Sequence, residues 1–261
     1  LDQYGSDAVR YWAANGRPGT DTAFDEGQMK IGRRLAIKIL NASKFTLTLA
    51  GDSEANLSSV SNPLDQALLS KLSDLIETAT AAFDDFDYAR ALERTEQFFW
   101  GFTDDYVELV KTRAYGSQGP EQAESAHVAL KVTLDALLRL FAPFLPFVTA
   151  EVWTWSHQDS IHCAPWPTKA DLTQGLPENI EIRLLDAASE TLSEVRRAKT
   201  EAKRSLKVKA ESVVVSATSE RINLVNLVRN DLIEAGNIEA LELVEQEETA
   251  PRVEVTLAEE E

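Results

Sequence analysis

A single cysteine, Cys163, in 261 residues excludes a disulfide framework within the chain and fits a reducing compartment, so a cytoplasmic location is expected. Only three histidines accompany it, and the His162-Cys163 pair therefore lacks the partners of a tetrahedral zinc set; no metal site is expected. There is no run of eighteen apolar residues, which excludes a membrane-spanning helix, and no secretory apolar region opens the chain. The lone methionine is Met29 and the first residue is Leu1, so the chain is expected to be part of a longer protein. No nucleophile–base pair stands out. Asp84, Asp85 and Asp87 cluster in a turn before a helix, where carboxylates cap and solubilise.

Positive charge is scarce as well. Lysine and arginine total 26 against 43 acids, a net charge of −17, which taken whole argues against a polyanionic partner. The deficit is uneven. From Glu211 to Glu261 thirteen acids face three arginines, a net of −10. Two basic islands interrupt the acidity, and local potential rather than total charge steers a polyanion. One runs from Arg196 to Lys209, where seven cations face only Glu201; its competing reading is a solvated helix face. The other lies between Gly27 and Gly51, with five cations and no acid.

This second island carries the functional reading. At about 100° per residue, Lys30, Arg33, Arg34, Lys38, Asn41, Lys44 and Phe45 share one helix face. Ile31, Leu35, Ile39, Ala42 and Thr46 turn toward the other. Cations, an amide and an aromatic ring on one face suit a polyanion whose bases can be touched, which points to single-stranded RNA rather than DNA. A merely solvated polar face is the alternative. Phe45 or Ile37 would support an unstacked base.

Helical spacing recurs along the first two thirds of the chain. Residues 4–14 read as a short helix, and Asn62-Pro63 starts a second long helix through Leu64, Leu68, Leu72, Leu75, Ile76, Ala79 and Phe83. Asp87 caps a third, running to about Tyr115; a fourth carries Val128 to Phe141, and Phe147–Trp155 makes a short last one. Gly51 to Ser61 reads as a polar loop. The pattern predicts a mainly α protein, an up-and-down helical bundle over 26–167. A Gly/Pro/Asn-containing linker at 168–180 leads to a small α+β domain at 181–261. That domain is expected to hold a helix at 182–204, a strand at 212–216, a helix at 220–235 ending on Gly236, and strands at 238–244 and 252–257.

In order along the chain, several phrases resemble the C-terminal region of class I aminoacyl-tRNA synthetases, most closely the valyl type. Tyr4-Gly-Ser-Asp-Ala-Val-Arg-Tyr11 resembles the helix after the KMSKS loop, making 1–25 the end of a connecting segment. Arg17 to Glu26 resembles the lead into an anticodon-binding bundle. Arg33, Lys38 and Asn41-Ala-Ser-Lys-Phe45 are similar to the valyl pattern on its first long helix, and Phe98-Phe-Trp100 with Asp105-Tyr-Val-Glu-Leu109 to its third. Leu137 to Trp153 carries a phrase shared with the isoleucyl and leucyl branches. The resemblance covers about residues 1–167 well and the tail poorly. The missing cysteine-rich zinc sites, frequent in the isoleucyl and methionyl branches, favour the valyl one.

The resemblance implies RNA contacts by Arg33, Lys38, Asn41 and Lys44, with Arg34, Phe45, Lys30, Trp100 and Arg113 as further candidates. Arg34 departs from the polar uncharged residue expected in bacterial relatives. Trp100 sits in an aromatic run (Phe98, Phe99, Trp100, Phe102) that one helix cannot turn wholly inward. Arg113 near a helix C-terminus has the competing role of meeting the dipole. The implied partner is a valine tRNA anticodon stem-loop, whose second and third anticodon bases are A and C, together with catalytic and editing domains of the parent chain. No HIGH-like or KMSKS signature is present, so the parent's ATP (with Mg) is expected to bind elsewhere, and this portion to be inactive alone. The same region of an isoleucyl, leucyl or methionyl enzyme, or a helical protein-interaction module, remains an alternative.

Overall fold

The computed structural model describes residues 3–51, 55–248 and 250–258. Residues 52–54 of the expected polar loop, and the extreme ends of the chain, lie outside these. Two compact units are formed, neither of them a single stretch of chain: Leu1–Leu57, Leu69–Trp100 and His127–Leu176 make one, and Ser58–Leu68, Gly101–Ala126 and Pro177–Glu261 the other. The mainly α architecture with a small α+β part follows the sequence pattern.

In the first unit α1 (Ser6–Ala14) packs on α2 (Glu26–Ala50). Asp25 caps α2: its Oδ1 accepts the backbone N–H of Gly27 at 2.7 Å and of Gln28 at 3.3 Å, filling donors that a helix start leaves unpaired. The helix crossing is set at Gly32, where a Cβ would come within 2.6 Å of Tyr11 Cβ. Asp7, buried on α1, accepts the backbone N–H groups of Phe147 and Val148 at the start of α7 (Pro146–Trp153) and so caps a helix distant in sequence. Proline at the first position of α7 loses no hydrogen bond there.

The long helices begin where expected. Asn62 accepts the Leu64 N–H ahead of α3 (Pro63–Asp84), and Asp87 the Arg90 N–H ahead of α4 (Tyr88–Gly101). The third helix does not run unbroken. A π-turn at Phe102–Tyr106 follows Gly101 and leads into α5 (Val107–Ala114). Then come α6 (Pro120–Phe141), α7 and the single turn α8 (Ala170–Thr173).

The second unit holds α9 (Arg183–Glu201) and a three-stranded sheet of β1 (Ala210–Ala217), β2 (Ile238–Glu245) and β3 (Arg252–Leu257), in the order β2-β1-β3. Val213 on the central strand lies opposite Leu241 of the parallel β2 and Val255 of the antiparallel β3. The parallel pair needs a crossover, supplied by α10 (Ser219–Leu227) and α11 (Arg229–Gly236). The single helix expected at 220–235 is thus two, broken at Val228. Nor is Gly236 the left-handed cap; Asn237 is, with φ 47°. Asparagine tolerates that conformation, and its Nδ2 donates to the Lys207 carbonyl at 2.8 Å. Gly236 is small for packing instead, since a Cβ there would sit 2.8 Å from the Ile238 side chain.

The interior of this unit contains a charged cluster. Arg113 has no solvent exposure; its Nη1 and Nη2 donate to both oxygens of Asp65 at 2.8 and 2.7 Å, and its Nε to Asp231 on α11 at 3.1 Å. Tyr106 and Ser125 donate to Asp65, and Gln118 to Asp231. Burial, with the nearby Asp65 carboxylate adding to it, raises the Asp231 carboxyl pKa against the lowering pull of Arg113, and burial likewise holds the Tyr106 phenol well above its ordinary value.

Candidate nucleic-acid interface

The buried stripe of α2 runs through Met29, Gly32, Leu35, Ile39, Ser43 and Thr46. It is rotated from the expected one, because the crossing at Gly32 brings that edge of the helix against Tyr11. Ile31 is consequently 40% exposed and Ala42 half-buried. Lys30, Arg33, Arg34, Asn41 and Lys44 are exposed on the opposite side, while Lys38 and Phe45 fall on the flank and are half-buried. At the centre of the cations stands Ile37, 49% exposed.

This face is left electrostatically open. Lys30, Arg34 and Lys44 form no ion pair among the described residues, and Arg33 uses one N–H on the Gln3 carbonyl at 2.9 Å. From Gly27 to Gly51 there is no acid, and Glu26 in the first turn is the single carboxylate that α2 itself carries. Cations carried by a rigid helix suit phosphate oxygens, the exposed Asn41 amide suits an adenine edge, and Ile37 offers an apolar surface to an unstacked base.

On the flank, the Lys38 ammonium lies 5.6 Å from the centroid of the Trp100 ring, within cation–π range. The Trp100 indole N–H donates to Glu96 Oε1 at 3.1 Å, and the Tyr11 hydroxyl to Glu96 Oε2 at 2.7 Å. Burial first, and Glu96 second, raise the Tyr11 pKa. Sequence reasoning missed Glu96. Its only signal was the i, i+4 spacing to Trp100 on α4.

Arg113 requires correction. It is expected above to touch RNA, but a guanidinium with no exposure and two carboxylate partners has no surface to offer. The second basic island is largely engaged within the fold. Arg196 donates to the Asp104 carbonyl at 2.7 Å and pairs with Asp105 at 3.2 Å; Arg197 pairs with Glu194, and Lys209 with Glu239. Lys199 is buried with its Nζ on the Leu206 and Gly236 carbonyls, and burial lowers its pKa. Among the described residues no group of three histidine, cysteine or acidic side chains is placed to hold a metal ion, and no helix is long and apolar enough to cross a membrane.

The fold is a helical bundle with a small α+β part, and comparison with known proteins names the family. The model for the anticodon-binding domain of tRNA ligase matches residues 65–215, and the chain belongs to that family. The match starts in α3, so the basic face of α2 precedes it. Sequence similarity to valine–tRNA ligases extends over nearly the whole chain. Identity is 51% over 259 residues to that of Thermobifida fusca (strain YX), covering 99% of this chain and 29% of the relative. It is 47% over 262 residues to that of Salinispora arenicola (strain CNS-205), covering 94% and 30%. The chain thus spans less than a third of the length of these curated relatives. A solved AgnB2 LeuRS–tRNA–LeuAMS ternary complex from Agrobacterium radiobacter K84 shares the fold, with a TM-score of 0.51 at 19% identity over 64% of this chain and 20% of that one.

Proposed function

We propose that the chain is the part of a cytoplasmic valine–tRNA ligase that grips the anticodon stem-loop of valine tRNA through the outer face of α2. The observation that carries this reading is the set of exposed, unpaired cations at Lys30, Arg34 and Lys44, with Arg33, Asn41 and Ile37 on the same face. Membership of the anticodon-binding family and similarity to valine–tRNA ligases support it.

In this reading lysine and arginine neutralise loop phosphates, which supplies most of the affinity. Asn41 pairs with the edge of the middle anticodon adenine, and Ile37 lies against a splayed base, as single-stranded loop recognition requires. Phe45 backs this surface from the flank. No covalent chemistry is assigned to these residues. ATP with Mg, valine and the tRNA acceptor end belong to the parent's catalytic and editing parts, since no nucleotide-binding signature occurs in this sequence; the chain alone is proposed to be inactive. Its domains in that parent are proposed to be the connecting segment at 1–25, the bundle at 26–167 and the α+β part at 181–261.

Binding of the 261-residue chain to a valine anticodon stem-loop, with its middle adenine intact or replaced, tests the proposal. Salt-sensitive binding weakened at least tenfold by the replacement is expected, within the range of one bidentate base contact. Binding indifferent to the base removes the valine assignment. No binding favours a protein-interaction module.

A further inference from the structure

A cavity of about 300 Å³ in the first unit plays no part in the reading above. It lies between the C-terminal half of α2, α6 and the stretches that carry His157 and Leu172, and its size is at the lower end for a pocket that takes a small ligand. Its apolar walls are Leu47, Leu57, Leu134, Leu138 and Leu172. Leu47 belongs to α2 and follows the exposed Lys44 by three residues. That spacing makes two side chains neighbours on a helix surface, about 5–6 Å apart at Cβ. One wall of the cavity therefore adjoins the cationic face.

The polar side of the cavity is held in place by its own contacts. Arg139 Nη2 donates to Asp135 Oδ2, and His157 Nε2 stands 3.4 Å from Asp135 Oδ1. His157 is stacked on Trp153, with ring centroids 3.6 Å apart and planes 8° from parallel. Arg139 Nη1 donates to the Pro165 carbonyl at 3.3 Å, while its Nε is buried with no hydrogen-bond partner among the described residues. A buried donor left without a partner carries its full desolvation cost, and an acceptor on an occupant of the cavity relieves it. Among the lining residues Lys131 and Arg139 balance Asp135 and Asp171, so the formal charges cancel. A phosphate or carboxylate gains little there, whereas a neutral heterocycle with apolar faces and a polar edge matches both sides.

Resting on the proposed RNA-binding reading, we infer that this cavity receives one splayed base of the bound loop, next to the base that Asn41 reads. Arg139 Nε donates to a ring nitrogen or carbonyl oxygen of that base, leucine side chains cover its faces, and Lys44 holds its phosphate. A single-stranded loop supplies such a base because its bases unstack readily.

The test pairs changes in the RNA with changes in the 261-residue chain. Each unpaired position of the valine anticodon stem-loop is replaced in turn by an abasic ribose. One position is expected to cost the wild type about five- to tenfold in affinity, the lower end for a single base contact. The same replacement is expected to cost nothing further in Leu47→Phe, whose ring fills the cavity from α2. Leu57→Phe fills it from another wall and is expected to give the same pattern. In the wild type the Arg139 Nε–H resonance is expected to move downfield with the intact stem-loop and to stay in place with the abasic one. Abasic losses that are equal in the wild type and both variants, or an Arg139 resonance unmoved by bound RNA, would overturn the inference while the RNA reading stands. A wild-type chain that binds no stem-loop overturns both.

Discussion

Arg113 Nη2 lies 2.7 Å from Asp65 Oδ1 with both side chains wholly buried, and the same guanidinium reaches Asp231 from its Nε. A charge buried this deeply is tolerable only with every donor engaged. Arg113→Met leaves two carboxylates facing one another without a cation. It is expected to lower the unfolding free energy by about 3–5 kcal/mol, read from urea denaturation followed by circular dichroism. Stem-loop affinity of the folded fraction is expected to be unchanged. A mild stability effect with a clear loss of RNA affinity would return Arg113 to the RNA surface.

Gly32 faces Tyr11 so closely that no side chain fits without moving α1. Gly32→Ala places its methyl carbon 2.6 Å from Tyr11 Cβ. The usual gain in helix propensity from that exchange, about 1 kcal/mol, is outweighed by overpacking of about 1–3 kcal/mol or more. A net loss of thermal stability is expected, and with it a weaker hydrogen bond from Tyr11 to Glu96. A stabilised Gly32→Ala variant would show the crossing to be looser than this geometry.

Alkali discriminates the two buried tyrosines. Burial and neighbouring carboxylates raise the phenols of Tyr11 and Tyr106 above the ordinary value near 10. Above that pH the unfolded chain releases these protons while the folded chain keeps them, so the native state binds more protons and stability falls as pH rises. Below about pH 10 the contribution is fully present. Tyr106→Phe is expected to flatten the stability–pH curve above pH 10, and absorbance near 295 nm is expected to show tyrosinate from these two residues only on unfolding. An unchanged slope in Tyr106→Phe would contradict the assignment.

Much of this was legible in the sequence because it depends on local rules. The caps at Asn62 and Asp87, the proline at 63 and the apolar spacing of α3 each act within a few residues, and the helices start where those residues stand. What was not legible depends on contacts far apart in sequence. The rotation of the α2 stripe follows from Tyr11 against Gly32, and the burial of Arg113 from Asp231, more than a hundred residues away. The left-handed cap at Asn237 rather than Gly236 goes with the Asn237 amide on the Lys207 carbonyl, thirty residues away. The outward cations of α2 were readable since no acid interrupts them; the role of Glu96 was not, since its value comes from holding Tyr11 and Trp100 together.

The central claim is that α2 neutralises RNA phosphates, and its most direct measurement is the salt dependence of stem-loop binding for the wild-type chain and for a Lys30→Gln, Arg34→Gln, Lys44→Gln triple variant. Each phosphate contact on a single-stranded loop contributes about −0.7 to the slope of log K against log salt. The account predicts a wild-type slope steeper than that of the triple variant by about 2, with folding unchanged because these side chains are exposed and unpaired. Equal slopes for the two proteins would contradict it.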